Sequence, residues 1–295
     1  MSQDNSLSGK TYVVTGANSG IGFEATRAFA ARGAEVVLLC RNEERGQKAL
    51  SRIQLETGNE NLHLLLGDFS SLASISRLAD ELAARFPKIH CLCSNAGGAN
   101  GSRKVTDEGF ELTFATNHLS AFLLLQKLLP GLTAAAEEDQ ARVVFTSSYG
   151  HNNSPIDFND LNLEDGYSTL KAYGRSKLMN LLTARELHRR YADKGIVASS
   201  FHPGAVRTSI WGKGGLVGRS LGLVMYPFMR SEEKGAETMI WLASADDEAA
   251  RNAQGNYFYD CRRKTTAEFA TDAAAQQLWR VSEELIEPYR QHPSD

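Results

Sequence analysis

The chain has 295 residues, 42% of them hydrophobic, with a formal net charge of -3 and a pI near 6.2. That is the composition of a soluble globular protein with one extended core, and its charge gives no electrostatic case for nucleic acid or an anionic membrane as partner. Cys40, Cys91, Cys93 and Cys261 share no metal-ligand spacing with the seven histidines; they read as small buried hydrophobes kept reduced, as in a cytoplasmic protein.

The first ten residues are polar and lack a charged-then-apolar signal pattern, and no apolar run reaches the roughly 20 residues that span a bilayer. No transmembrane segment is expected. Strands are predicted at 12–15, 35–40, 62–66, 89–94, 142–146 and 197–201, with helices beginning near residues 20, 43, 71, 108 and 173. A helix at 232–245 then leads into a seventh strand at 255–259. This alternation predicts an α/β protein: one Rossmann-type, doubly wound parallel sheet of about seven strands, helices on both faces, ligands at the carboxyl ends of the strands. No linker or repeat interrupts 1–295, so one domain is expected.

The turn Thr15-Gly16-Ala17-Asn18-Ser19-Gly20-Ile21-Gly22 follows the first strand and opens the first helix. Glycines there let the backbone turn tightly and approach a pyrophosphate, whose charge the helix N-terminus stabilises. The spacing is GxxxGxG, and a plain structural turn is the alternative. The second strand ends Leu39-Cys40-Arg41-Asn42. An acidic residue at that point would hold ribose hydroxyls, whereas Arg41 suits a 2′-phosphate. The expected cofactor is therefore NADP(H), unless Arg41 is only a solvated residue at a helix start.

Tyr173 and Lys177 stand four apart, which on a helix makes them neighbours. A fixed positive charge favours the phenolate and brings a Tyr toward useful acid/base chemistry, against the plainer reading of a packed Tyr and a solvated Lys. Farther on, 209–230 mixes apolar side chains with glycines, as a lid over a lipophilic pocket would, or as a short amphipathic helix packed on the core.

With these residues in view, the sequence resembles the short-chain dehydrogenase/reductase family from residue 10 to about 259. The glycine turn, Asn95-Ala96-Gly97, Ser147-Ser148, Tyr173-x-x-x-Lys177 and Pro203-Gly204 occur in that family's order. The Cys40-Arg41 junction, Asn117-His118-Leu119, the run from His202 to Thr208 and the tail around 279–285 look most like the retinol dehydrogenase group. The resemblance implies roles. Tyr173 exchanges a proton with the substrate oxygen, Lys177 holds the nicotinamide ribose and lowers the Tyr173 pKa, and Ser148 hydrogen-bonds the carbonyl or alkoxide. Asn117 helps hold a water linked to Lys177. Gly16, Asn18, Ser19, Gly20, Ile21, Gly22 and Arg41 hold the cofactor, Asp68 lies by the adenine, Asn95, Ala96 and Gly97 support it, and Pro203, Gly204, Val206 and Thr208 border the nicotinamide amide.

Two features depart from the family pattern. The separation of Ser148 from Tyr173 is about twice that of compact members, and the extra stretch, 150–171, is read as a wall of the site mouth or a change in subunit packing. A homo-oligomer stays open. The apolar N-terminal segment of membrane-anchored retinol enzymes is missing, so a retinoid substrate is not carried over directly. The resulting expectation is a metal-independent, NADP(H)-dependent oxidoreductase that interconverts a lipophilic, retinal-like aldehyde or ketone and an alcohol by hydride transfer. A non-catalytic dinucleotide-binding sensor or scaffold is the alternative.

Overall fold

The computed structural model describes residues 5–206 and 230–290. Its elements run β1 (Thr11–Thr15), α1 (Gly20–Ala31), β2 (Glu35–Cys40), α2 (Glu43–Thr57), β3 (Leu62–Leu66), α3 (Leu72–Arg85), β4 (Cys91–Ser94), α4 (Leu112–Ala136), β5 (Ala141–Thr146), α5 (Thr169–Tyr191) and β6 (Ile196–Phe201). After the segment 207–229 come α6 (Glu232–Ser244), α7 (Glu248–Arg251), β7 (Tyr257–Tyr259), β8 (Arg262–Lys264) and α8 (Asp272–Arg290). The proposed lid at 209–230 and Thr208 thus fall, but for Arg230, outside the described residues.

Among the described residues the sheet has eight strands in the order β3-β2-β1-β4-β5-β6-β7-β8, parallel except for β8. β8 is a three-residue edge of arginines and lysine, a polar turn-back that hydrophobic alternation does not announce. The seventh strand starts two residues later than expected. Gly255, at φ +70°, turns the chain there, and a Cβ on it would stand 2.8 Å from the Arg185 Cα.

Strands β1 and β5 are buried along their whole length, as both-face coverage requires of parallel strands. Alternate residues feed two cores. Val13, Val37 and Leu39 join α3, α4, α5 and α8 on one face; Tyr12, Val14, Val36 and Leu38 join α1, α2 and α6 on the other.

Helix starts follow local caps. Asn42 accepts from the Arg45 N–H at 2.8 Å, and Ser168 caps α5 through the Lys171 N–H. The helix expected near residue 108 begins at Leu112, because Glu111 turns its carboxylate back onto the N–H groups of Thr113 and Phe114, both at 2.8 Å. By length and composition α4 could cross a membrane, but 67% of its most apolar window is buried in this core.

Within α4, residues Ala115–Leu119 form a π-turn. On its core side His118 stacks on Phe114 at 5.8 Å and meets Ser282 Oγ on α8 at 2.8 Å; burial pulls its pKa down to about 3, so the ring is neutral.

Candidate active site

Strand order reverses between β1 and β4, which places the ligand crevice of an open α/β sheet outside their carboxyl ends. The glycine turn lies there. Gly16 has φ +67°, and a Cβ on Gly22 would stand 2.4 Å from the Gly16 carbonyl oxygen, so helix and turn touch backbone to backbone. Ser19 begins α1 without folding its hydroxyl onto the helix. Ile21 borders Val206: a Cβ on Gly235 would meet both side chains.

Asn95 ties the strand ends together. Its Nδ2 donates to the Thr15 carbonyl at 3.0 Å, and its Oδ1 accepts from Thr146 Oγ1 at 3.3 Å. The Thr15 hydroxyl accepts from the N–H groups of Asn95 and Ala96, both at 2.8 Å. Thr15 and Thr146 thus belong to the site, although single threonines at strand ends give no sequence signal.

Arg41 and Asp68 meet at the outer end of the crevice, 3.8 Å apart, with the arginine side chain 71% exposed. Asp68 also accepts from the N–H and the hydroxyl of Ser70, while Ser71 caps α3. Pro203, Gly204 and Val206 follow β6; Gly204 sits at φ +86°, where a Cβ would collide with Arg230.

Helix α5 brings Tyr173 and Lys177 to the same place. The Lys177 ammonium lies 5.5 Å from the centre of the Tyr173 ring and donates to the Thr146 carbonyl at 3.0 Å. Its burial draws its pKa down to about 8. Gly97 leaves room for it: a Cβ there would stand 3.3 Å from Lys177 Nζ and 3.0 Å from Asn117 Oδ1. From the π-turn, Asn117 Oδ1 accepts the Gly98 N–H, and Nδ2 donates to the Gly98 carbonyl and Ser176 Oγ, all at 2.9 Å. Both amide hydrogens are therefore taken by protein partners. π-Turns recur at functional sites because they redirect a side chain without ending the helix.

The two serines separate. Ser147 is buried with its hydroxyl on the Lys177 carbonyl at 2.8 Å, a brace between β5 and α5. Ser148 accepts from the Gly150 N–H at 3.2 Å and interacts with Tyr173. One expectation is corrected: the Tyr173 phenol is not lowered. Burial pushes it up, and the interaction with Ser148 only partly opposes this.

The stretch 150–171 docks beside this site. Tyr167 Oη and Thr169 Oγ1 donate to the Asn100 carbonyl at 2.8 and 2.9 Å, and Asn162 accepts from the Glu111 N–H at 2.9 Å. Arg175 reaches back to the carbonyls of Asp157 and Asp160. The stretch is thus a wall against the 98–111 segment. Gly174, which sequence reasoning passed over, makes the docking possible: a Cβ on it would fall 2.2 Å from Ser154 Oγ.

Fold and site together define a doubly wound α/β protein whose ligand crevice carries a paired phenol and ammonium. The chain belongs to the short chain dehydrogenase family, whose sequence model matches residues 10–215, and it is an oxidoreductase of the retinol dehydrogenase-like kind. It is 39% identical to retinol dehydrogenase 12 of Mus musculus, over 95% of this chain and 87% of that protein. It is 38% identical to a Streptomyces protein assigned as a daunorubicin C-13 ketoreductase, over 94% and 92%. A solved structure from Mycobacterium paratuberculosis superposes with a TM-score of 0.76 at 29% identity, covering 95% of this chain and 94% of that one. A short chain dehydrogenase structure from Escherichia coli CFT073, complexed with NADPH, gives 0.66 at 25% identity, over 88% and 98%.

Proposed function

We propose that this protein is an NADP(H)-dependent oxidoreductase that reduces a lipophilic aldehyde or ketone, or oxidises the matching alcohol. The observation that carries the reading is the convergence of Ser148, Tyr173, Lys177 and Asn117 beside the glycine turn. The cradle suits a dinucleotide: Gly16 and Gly22 let the turn and the start of α1 pack backbone to backbone against the 95–96 segment, as a pyrophosphate-binding glycine turn does. Arg41, largely exposed at the end of β2, suits a 2′-phosphate. When bound, the nicotinamide supplies or accepts the hydride.

This chain's residues handle the proton. The phenol of Tyr173, held protonated by burial, is a donor to a carbonyl oxygen as negative charge develops there. The phenolate left behind is stabilised by the Lys177 ammonium, itself fixed by the Thr146 carbonyl. Ser148 accepts from Gly150, which leaves its own O–H to donate to the same substrate oxygen. The names of the relatives support the substrate class: a retinol dehydrogenase and a ketoreductase both act at a carbonyl–alcohol pair.

The test is NADPH oxidation over a panel of aliphatic, aromatic and isoprenoid aldehydes and ketones. Tyr173→Phe should keep NADPH affinity and lose turnover by a factor on the order of 10² or more. Normal turnover in that variant would remove Tyr173 from the mechanism; tight NADPH binding with no turnover of any substrate would favour a sensor.

A further inference from the structure

The turn after Ser148 contains a histidine that the roles above leave unused. His151 is fully buried, and its ring packs edge-on against Tyr257 at 4.8 Å between centres. Its Nδ1 lies 2.7 Å from the Ser148 carbonyl oxygen. A carbonyl can only accept, so Nδ1 carries the proton and Nε2 keeps the lone pair. Burial lowers the ring's pKa and favours this neutral form. The backbone N–H of His151 donates to the same Ser148 oxygen at 3.2 Å. Nε2 is buried and has no hydrogen-bond partner among the described residues, so Nδ1 makes the ring's one hydrogen bond to them, and it goes to Ser148.

Ser148 is gripped from both ends by one turn. Gly150 N–H holds its Oγ, and His151 holds its carbonyl, which keeps the residue extended at φ -158° and ψ 156°. The same turn lies on α5 next to Tyr173, since a Cβ on Gly174 would stand 2.6 Å from the Gly150 carbonyl oxygen. We propose that His151 is a positioning residue: through Nδ1 it fixes the Ser148 backbone so that the hydroxyl faces Tyr173 and the substrate oxygen. This rests on the catalytic reading of Ser148 given above.

The test compares His151→Phe, His151→Asn and His151→Gln in the full-length protein, with Ser148→Ala in parallel, by kcat and KM for a carbonyl substrate and by NADPH affinity. Phe keeps a ring against Tyr257 without the donor. Asn places an amide N–H where Nδ1 stood, whereas Gln places it beyond, at the Nε2 position. The expected pattern is a fall in kcat of about tenfold or more in the Phe and Gln variants, unchanged NADPH affinity in both, and recovery of most of the rate in Asn. Should the Phe variant fail to fold, the contrast between Asn and Gln carries the test. Equal loss in Asn and Gln, or no loss in folded Phe or Gln, overturns the proposal. Normal turnover by Ser148→Ala would instead overturn the catalytic reading of the serine, and the role of His151 with it.

Discussion

Gly174 and Ser154 compete for one volume: a side chain on residue 174 would begin 2.2 Å from the Ser154 hydroxyl. The residue beside Tyr173 is bare because the wall of the site leans on it. Gly174→Ala should therefore push the 149–154 turn off α5, destabilise the fold by about 1–3 kcal/mol through overpacking, and lower kcat with NADPH affinity nearly unchanged. Thermal melting and steady-state rates check this; an unchanged melting point and kcat would show that the turn yields freely.

Gly22 makes a corresponding contact at the glycine turn, where a Cβ would stand 2.4 Å from the Gly16 oxygen and 2.6 Å from Asn95 Nδ2. Gly22→Ala must open the turn, and both NADPH and NADH should bind at least tenfold more weakly. Fluorescence titration reads the loss directly. Retained affinity would mean that the turn does not hold the dinucleotide.

Arg41 predicts a selective effect. Arg41→Ala should weaken NADPH by roughly 10- to 100-fold, as loss of a charge-assisted phosphate contact does, and leave NADH within about twofold. Equal affinities for the two cofactors in the unaltered protein would remove the basis of the prediction.

Lys177 sets opposite trends for activity and stability with pH. Its ammonium has a pKa of about 8 in the fold against 10.5 for an ordinary lysine. Turnover should fall as pH rises through about 8 and the charge is lost. Between 8 and 10.5 the unfolded chain binds more protons at this position than the folded one, so this group's contribution to stability rises with pH. Lys177→Met should accordingly be more stable than the native protein at pH 7, by on the order of 2–3 kcal/mol, and lose that advantage as pH approaches 10.5. Denaturant melts across this range decide it; a variant less stable at pH 7 would show that the Thr146 bond outweighs burial of the charge.

Much of this site was legible because its chemistry is periodic or local. Four-residue spacing put Tyr173 over Lys177, and a glycine turn between strand and helix marked the crevice. What stayed hidden depends on long-range contact. Nothing local in Gly174 announces Ser154, and Thr15 gains its role only when β4 arrives beside it. The upward push of burial on the Tyr173 phenol was hidden for the same reason, since charge proximity can be read from spacing but burial cannot. The helix begins at Leu112 rather than near 108 because Glu111, a good helix former by composition, uses its carboxylate as a cap.

The π-turn in α4 makes chain length itself a functional quantity. A π-turn carries one residue more than the α-helical turn it replaces, so the helix before Ala115 and the helix after Leu119 are out of phase by about 100°. Within it Asn117 serves Gly98 and Ser176 while His118, its neighbour, serves Ser282 on α8. Removing any one residue between 115 and 119 would restore regular winding and swing one of these two side chains away from its partners. A one-codon deletion there should be as damaging as loss of the Asn117 amide, even when the deleted residue is an alanine that touches neither site.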